Sequence, residues 1–294
     1  MSTPSKGKAI ETLVPDIYET MEKGASVPEE KIKEFSDSLA KLVSDRLSDR
    51  SHRNYLRLSN LGESCRRKLW YSINMPERAE KISGKALLKF LIGDLWEAVL
   101  LFLAEVSGHK VEGRQDELDL YGVKGHRDAV IDGVLVDCKS ASSYSFQKFK
   151  NHLTPEEDAF GYIDQIQGYL HASKDDPLVT DKSRAAFLVG DKTLGTLTLD
   201  VHRKTNKDYE KFVEETREML AQPNPPPRDF HPVKDGESGN MKLPTKCSYC
   251  DFKKVCHPKV RTFLYSNGPR YLTTVKRLPN VPEVNSQVFY DDEG

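Results

Sequence analysis

Apolar residues recur at three- and four-residue intervals along the first third of the chain, which predicts helices. Between 28 and 49 the positions Ile32, Phe35, Leu39, Leu42, Val43 and Leu47 mark one helix face; Ser26 can cap it, and Pro28, Glu29 and Glu30 fill its first turn. A shorter helix is expected over 8–23, begun or interrupted by Pro15. Ser59 should open a short basic helix through Cys65, Arg66, Arg67, Lys68, Leu69, Trp70 and Tyr71. The most apolar run, 84–106, ends before Gly108, a residue suited to a helix C-terminal cap. It carries Lys89, Asp94, Glu97 and Glu105, charges that suit a buried helix and not a bilayer span.

From His109 the period shortens to two. His109–Tyr121, Gly125–Ile131 and Val134–Lys139 predict three strands, the last two joined as a tight hairpin at Asp132-Gly133. Helical spacing returns over 158–173, with Phe160, Ile163, Ile166 and Leu170 on one stripe. Two strands follow at 185–189 and 196–201, then a helix over 205–221 that the proline run 223–227 terminates. The tail, 260–294, holds a hairpin signal at Asn267-Gly268-Pro269 and an acidic end. The order helix, three strands, helix, strand predicts an α+β fold with a central mixed β-sheet flanked by helices and a helical amino-terminal extension. No internal repeat is visible.

Composition narrows the function classes. Lys and Arg total 44 against 45 Asp and Glu in 294 residues, a formal charge of −1. That excludes a uniformly basic nucleic-acid coat and a polyacidic disordered chain. A local basic groove remains open, because 52–68 holds five Lys and Arg (Arg53 and Arg57 among them) against Glu63, and 242–261 holds six against Asp251. Aromatic neighbours Trp70, Tyr71, Tyr249 and Phe252 could stack on unpaired bases there. The first residues lack the apolar core of a secretory signal, so a soluble protein of a reducing, cytoplasmic compartment is expected, without a membrane partner.

Chemistry concentrates at the predicted hairpin. Folding at Asp132-Gly133 brings Asp128 and Asp137 close to opposite one another. Two carboxylates so placed repel, and a divalent metal held by oxygen ligands relieves the repulsion. Asp137 and Lys139 share a strand face, so an ammonium stands beside the carboxylates. Asp-x-Lys alone reads first as an exposed surface pair of little energetic consequence. Here Val130, Ile131, Val134, Leu135 and Val136 make the strand pair largely buried, where unpaired charge is costly.

Five cysteines stand unevenly at 65, 138, 247, 250 and 256, which argues against a disulfide scaffold. Cys247, Cys250 and Cys256 form C-x2-C-x5-C, three of the four ligands a tetrahedral site needs. Cys65, Cys138, His257 or another histidine could be the fourth. Cys138 alternates with Asp137 and Lys139 and reads as a small buried hydrophobe on the other sheet face. Thiolates suit zinc and iron–sulfur clusters alike.

These residues resemble the PD-(D/E)xK nuclease superfamily, and within it the RecB-type branch. The likeness rests on Gly125-x-x-Asp128, on Asp137-Cys138-Lys139 followed by Ser140-Ala141-Ser142, and on Gln165-x-x-x-Tyr169 on the next helix. It covers about residues 55–258. The branch often carries a metal-binding histidine on the preceding helix; Trp96 stands at that place, while Glu97 fits the Gly-x-x-x-Glu of other branches from Gly93. The split of one cysteine before the core and C-x2-C-x5-C after it is similar to the iron–sulfur members, among them CRISPR-associated adaptation nucleases, the AddB nuclease domain and a eukaryotic replication helicase-nuclease.

The resemblance implies a restriction-endonuclease-like core of order α-β-β-β-α-β. It divides the chain into a helical extension (1–54), a nuclease core with the cluster region (55–258) and a tail (259–294). The implied activity is an Mg2+- or Mn2+-dependent deoxyribonuclease, acting as an exonuclease on single strands or duplex ends in recombination, repair or replication. Asp128, Asp137 and Glu97 would bind the metal, Lys139 would orient the attacking water, and Gln165 and Tyr169 would contact the strand or brace the lysine. Cys65, Cys247, Cys250 and Cys256 would hold a 4Fe-4S cluster as a staple, with zinc the alternative. Arg66, Arg67, Lys68, Lys148, Lys253 and Lys254 would meet DNA phosphates. A helicase, recombinase or single-strand-binding partner is implied, since no P-loop is present, and the extensions lean toward a phage-encoded relative in a host cytoplasm. The rivals are a catalytically inactive DNA-binding scaffold and a CRISPR-adaptation role.

Overall fold

In a computed structural model the described residues are 8–48 and 54–284; Arg53 and the acidic end 285–294 lie outside them. In chain order the elements are α1 (Leu13–Lys23), α2 (Glu29–Ser48), α3 (Leu58–Leu61), α4 (Arg66–Asn74), α5 (Gly84–Val106), β1 (Val111–Glu112), β2 (Glu117–Leu120), β3 (Val123–His126), β4 (Ala129–Ile131) and β5 (Val134–Ala141). Then come α6 (Ser143–Lys150), α7 (Tyr162–Ala172), β6 (Arg184–Asp191), β7 (Leu197–Arg203), α8 (Tyr209–Leu220), β8 (Val233–Lys234), β9 (Met241–Lys242), α9 (Thr245–Ser248), α10 (Lys253–Cys256), β10 (Arg261–Tyr265) and β11 (Gly268–Thr274). The chain forms two compact units, one from residues up to 62 together with 83–217, the other from 63–82 together with 218 onward. All three boundaries thus fall inside the 55–258 stretch.

The first unit is α+β, built on a mixed five-stranded sheet of order β1-β4-β5-β6-β7. Only the β5–β6 pairing is parallel; the others are antiparallel. Central β5 and β6 are buried on both faces, which explains their nearly continuous apolar sequence. One face packs Leu135, Phe187 and Val189 under Leu58, Phe146, Phe149, Ile166 and Leu170 from α3, α6 and α7. The other packs Val136, Cys138, Ala186 and Leu188 under Leu13 and Ile17 of α1 and Leu100, Leu101 and Ala104 of α5. Ser83 caps α5 by accepting from the Ala86 amide at 3.2 Å, and Gly108 follows it at φ +87°, as its sequence indicates.

Five expectations change. The apolar face of α2 gains no buried residue: Phe35 stacks on Phe102 of α5 at 4.2 Å, while Ile32 and Leu47 stay exposed. That helix begins at Glu29, so Ser26 does not cap it. The single basic helix expected from Ser59 is two, α3 and α4, because the chain turns at Gly62; a Cβ there would meet Gly161 O at 2.8 Å and Asp164 Cβ at 2.9 Å. Phe160 stands outside α7, because the Asp158 carboxylate accepts from the amides of Phe160, Gly161 and Ile163 and delays the helix to Tyr162. The first expected strand divides into β1 and β2, and β2 pairs with β3 as a separate ribbon.

The second unit carries a four-stranded antiparallel sheet of order β10-β11-β9-β8, with the expected tail hairpin at β10–β11. In it Leu69, Trp70 and Tyr71 of α4 are buried, Tyr71 stacks on Phe252 at 5.5 Å, and the Trp70 indole donates to Gln222 O at 2.9 Å. Among the described residues no helix is long and apolar enough to cross a membrane.

Candidate active site

The β4–β5 hairpin sets the site. Asp132 (φ +51°) and Gly133 (φ +79°) occupy the left-handed region at both turn positions, the requirement of the two-residue turn that Asp-Gly favours. The register Ile131↔Val134, Val130↔Leu135, Ala129↔Val136, carried one step further, sets Asp128 across from Asp137. The Cys138 amide donates to Asp128 Oδ2 at 2.7 Å, holding that carboxylate against β5.

Glu97 of α5 joins them. Gln115, in the loop after β1, donates to Glu97 Oε1 at 2.8 Å. Burial pushes the Glu97 carboxyl up to about 7, aided by the neighbouring Asp137, while the Gln115 hydrogen bond pulls it down. Burial first, then Asp137 and Glu97, raise the Asp128 carboxyl well above the ordinary range. Three carboxyl groups therefore share one poorly solvated space.

The single ammonium among them is Lys139, 2.5 Å from Asp137 Oδ2. This short ion pair is the contact that holds Asp137 Oδ2, and it helps to raise the lysine pKa. Burial works to lower the lysine pKa, and Asp137 and Asp128 overcome it, leaving a net rise. Lys139 Nζ also lies 4.9 Å above the Tyr162 ring.

Helix α7 supplies the rest. Gln165 hydrogen-bonds the buried Tyr169, whose hydroxyl burial and Asp137 push up to about 12. Gly125 makes room for it: a Cβ there would fall 3.1 Å from the Tyr169 hydroxyl and 2.6 Å from Leu58 Cβ. Tyr162, Gln165 and Tyr169 follow at three- and four-residue spacing and so share one helix face. Sequence reasoning missed Tyr162, which this spacing would have revealed; nothing local marked Gln115. A shallow pocket beside Lys139 is lined by Ser142, Ser145, Lys148, Phe160 and Tyr162.

Trp96 is partly buried and packs against the core on the α1–α5 side of the sheet. Its indole lies against Gly190 of β6, where a Cβ would come within 2.2 Å of Nε1. Cys138 is buried on the face opposite Leu135, as its alternation with Asp137 requires.

In the second unit Cys65, Cys247, Cys250 and Cys256 are free and half-buried. Burial raises the Cys65 thiol to about 12, with Cys250 among its neighbours, and Cys250 to about 11, with Cys247 among its neighbours. The Cys247 thiol is raised by burial and by Cys256. The thiols are thus neighbours pair by pair, Cys65 with Cys250, Cys250 with Cys247 and Cys247 with Cys256, and among the described residues no three of them bring their sulfurs within 4.8 Å of one another. The buried His257 Nε2 has no hydrogen-bond partner.

The basic residues are mostly engaged. Lys68 pairs with Glu63 at 2.6 Å, Lys253 and Lys254 both pair with Glu80, and Arg67 donates to Pro226 O at 2.6 Å and stacks on Tyr71. Lys148 donates to Glu157 O at 3.0 Å, and Arg66 is exposed.

No protein-family model and no curated protein matches the chain. A solved structure described as the crystal structure of SSO0001 is similar at 16% identity and a TM-score of 0.40, over 74% of this chain and 93% of that one.

Proposed function

We propose that the chain is a divalent-metal-dependent deoxyribonuclease with a restriction-endonuclease-like core, acting as an exonuclease on DNA strands or ends. The observation that carries this reading is the convergence of Glu97, Asp128 and Asp137 on one ammonium, Lys139. Fully ionised, these groups leave two negative charges in a poorly solvated space, one of the three carboxylates being paired with Lys139. A divalent cation with oxygen ligands fits that excess in both charge and donor chemistry. Glu97, Asp128 and Asp137 would hold Mg2+ or Mn2+, which supplies Lewis-acid stabilisation of phosphate charge and a more acidic water.

The chain's own residues do the remainder. Lys139 stays protonated at neutral pH, since its carboxylate neighbours raise its pKa. It therefore acts as a donor that holds a water and faces developing phosphate charge, and not as a general base. Gln115 fixes Glu97 and the Cys138 amide fixes Asp128, so neither carboxylate swings away. Gln165 and Tyr169 brace the same groove from α7. The pocket lined by Ser142, Ser145 and Lys148, with exposed Tyr144 and Phe160 nearby, suits a phosphodiester strand with stacked bases.

The four-thiol donor set fits an iron–sulfur cluster, with zinc the alternative, as a brace for the second unit. Trp96, packed against the core at the place of the branch's usual histidine, favours the rival reading of an inactive DNA-binding protein. Gel-resolved digestion of DNA labelled separately at each end, with Mg2+ or Mn2+ and with chelator, decides between them. Stepwise shortening that chelator abolishes supports the nuclease; intact DNA that is retained in a mobility shift supports the rival.

A further inference from the structure

Helix α6 ends in an unusual way. Its C-cap is Asn151, and the next residue, His152, adopts φ +70°, where glycine is the ordinary occupant. A histidine held there is under backbone strain, and such positions accumulate where a side chain must be aimed. His152 is aimed at β7. Asp200 and His202 alternate on that strand and so share a face, both nearly inaccessible.

The three side chains interlock. His152 Nδ1 lies 2.7 Å from Asp200 Oδ1, and His202 Nε2 lies 2.9 Å from Asp200 Oδ2. The Leu153 amide donates to Asp200 Oδ2 at 3.0 Å, fixing the carboxylate. The two imidazoles stack with centroids 4.5 Å apart, and the ligating atoms of all three residues lie within 4.8 Å of one another. His202 is held from behind by the Phe187 ring at 5.3 Å. The His152 side chain is 62% exposed, which leaves an entry path and an open position for water.

We infer that His152 Nδ1, Asp200 and His202 Nε2 form a second metal site, of the Zn2+ class and distinct from the carboxylate site. Two imidazoles and one carboxylate select borderline transition metals; Mg2+ and Ca2+ prefer oxygen ligands throughout. Three protein ligands leave one tetrahedral position for water. Binding releases no net proton from neutral imidazoles. Each moves its N–H to the ring nitrogen facing away from Asp200, His152 to Nε2 and His202 to Nδ1, and the freed lone pair meets the metal.

The site's position is fixed by register. Asp137 pairs with Phe187, and Phe187 pairs with Asp200, so both carboxylates lie in one cross-strand row with an aromatic ring between them. Two strand spacings, about 10 Å, separate the two sites. Zinc there would tie the end of α6, which lines the pocket beside Lys139, to the edge strand β7.

The test compares the full chain with His152→Gly, a variant that loses one ligand and also relieves the left-handed strain, so it folds. Both are dialysed against buffered Zn2+ with excess Mg2+, and bound zinc is counted. In parallel, long-range proton–nitrogen NMR follows the His202 imidazole nitrogens. The wild type should retain one zinc more than the variant, and its His202 proton should shift to Nδ1 on zinc addition. Equal zinc content in the two proteins overturns the site as a plain hydrogen-bonded triad. An unchanged His202 imidazole, or displacement of the extra zinc by Mg2+, overturns it equally.

Discussion

Lys139 and Asp137 lie two residues apart on one strand, with Nζ 2.5 Å from Asp137 Oδ2, a short ion pair set beside the Asp128 and Glu97 carboxyl groups. The ammonium and an incoming cation therefore compete for that carboxylate. Removing the ammonium should therefore separate binding from chemistry. In Lys139→Met, Mn2+ affinity measured by calorimetry should be kept or strengthened, since a competing positive charge is gone. DNA hydrolysis should fall by about 100-fold or more, the scale of losing one preorganised donor. A variant that loses Mn2+ binding and hydrolysis together would show the lysine to be a structural prop.

The Glu97 carboxyl, at about 7 against an ordinary 4.5, gives a pH dependence with a definite sign. Between those two values the folded chain binds a proton that the unfolded chain has released, so metal-free stability falls as pH rises through the window. The deficit is roughly 1–3 kcal/mol above pH 7. Glu97→Gln should raise the melting temperature of metal-free protein at pH 8 and change it little at pH 5. Mg2+ affinity should climb from pH 6 to 8 in the wild type and climb less steeply in the variant, where the raised Asp128 carboxyl still titrates. Thermal melts and calorimetry at these pH values check both.

Gly133 holds the register that opposes Asp128 to Asp137. A Cβ there would lie 2.0 Å from Thr180 Oγ1, at φ +79°. Gly133→Ala should destabilise the chain by about 1–3 kcal/mol and reduce divalent-metal affinity, although residue 133 touches no metal ligand of the site. Chemical denaturation with Mn2+ titration tests the pair of effects.

Cys65→Ser and Cys250→Ser should each abolish iron and sulfide content in anaerobically purified protein, along with absorbance at about 400 nm. A colourless wild type with stoichiometric zinc would assign the thiols to zinc instead.

Much of this site was legible because its chemistry is local. The Asp132-Gly133 turn dictates the left-handed pair, and two-residue alternation then fixes which side chains oppose each other. Gln165 and Tyr169 came from the resemblance to the Gln-x-x-x-Tyr motif, and their four-residue spacing sets them on one helix face. What escaped depended on tertiary partners. Gln115 sits in a loop and gains meaning only from Glu97. The apolar stripe of α2 showed a face but not how little would cover it. The break between α3 and α4 depends on the close approach of Gly62 to residues 161–165, distant in sequence. Helix α6 reads as alternating Ser-Tyr-Ser-Phe, closer to a strand, and its N-cap Ser142 was absorbed into the run after Asp-x-Lys. With α6 unread, the approach of His152 to Asp200 was invisible.

The account stands most directly on single-turnover hydrolysis of end-labelled DNA by wild type, Asp128→Asn and Asp137→Asn, with Mg2+ and with Mn2+. Each substitution removes charge at nearly constant volume and relieves the repulsion, so both variants should fold as well as the wild type in thermal melts. The wild type should cleave with either metal, and both variants should be slower by about 1,000-fold. Wild-type protein that leaves DNA intact with both metals, or variants that cleave at its rate, would contradict a catalytic role for the paired carboxylates.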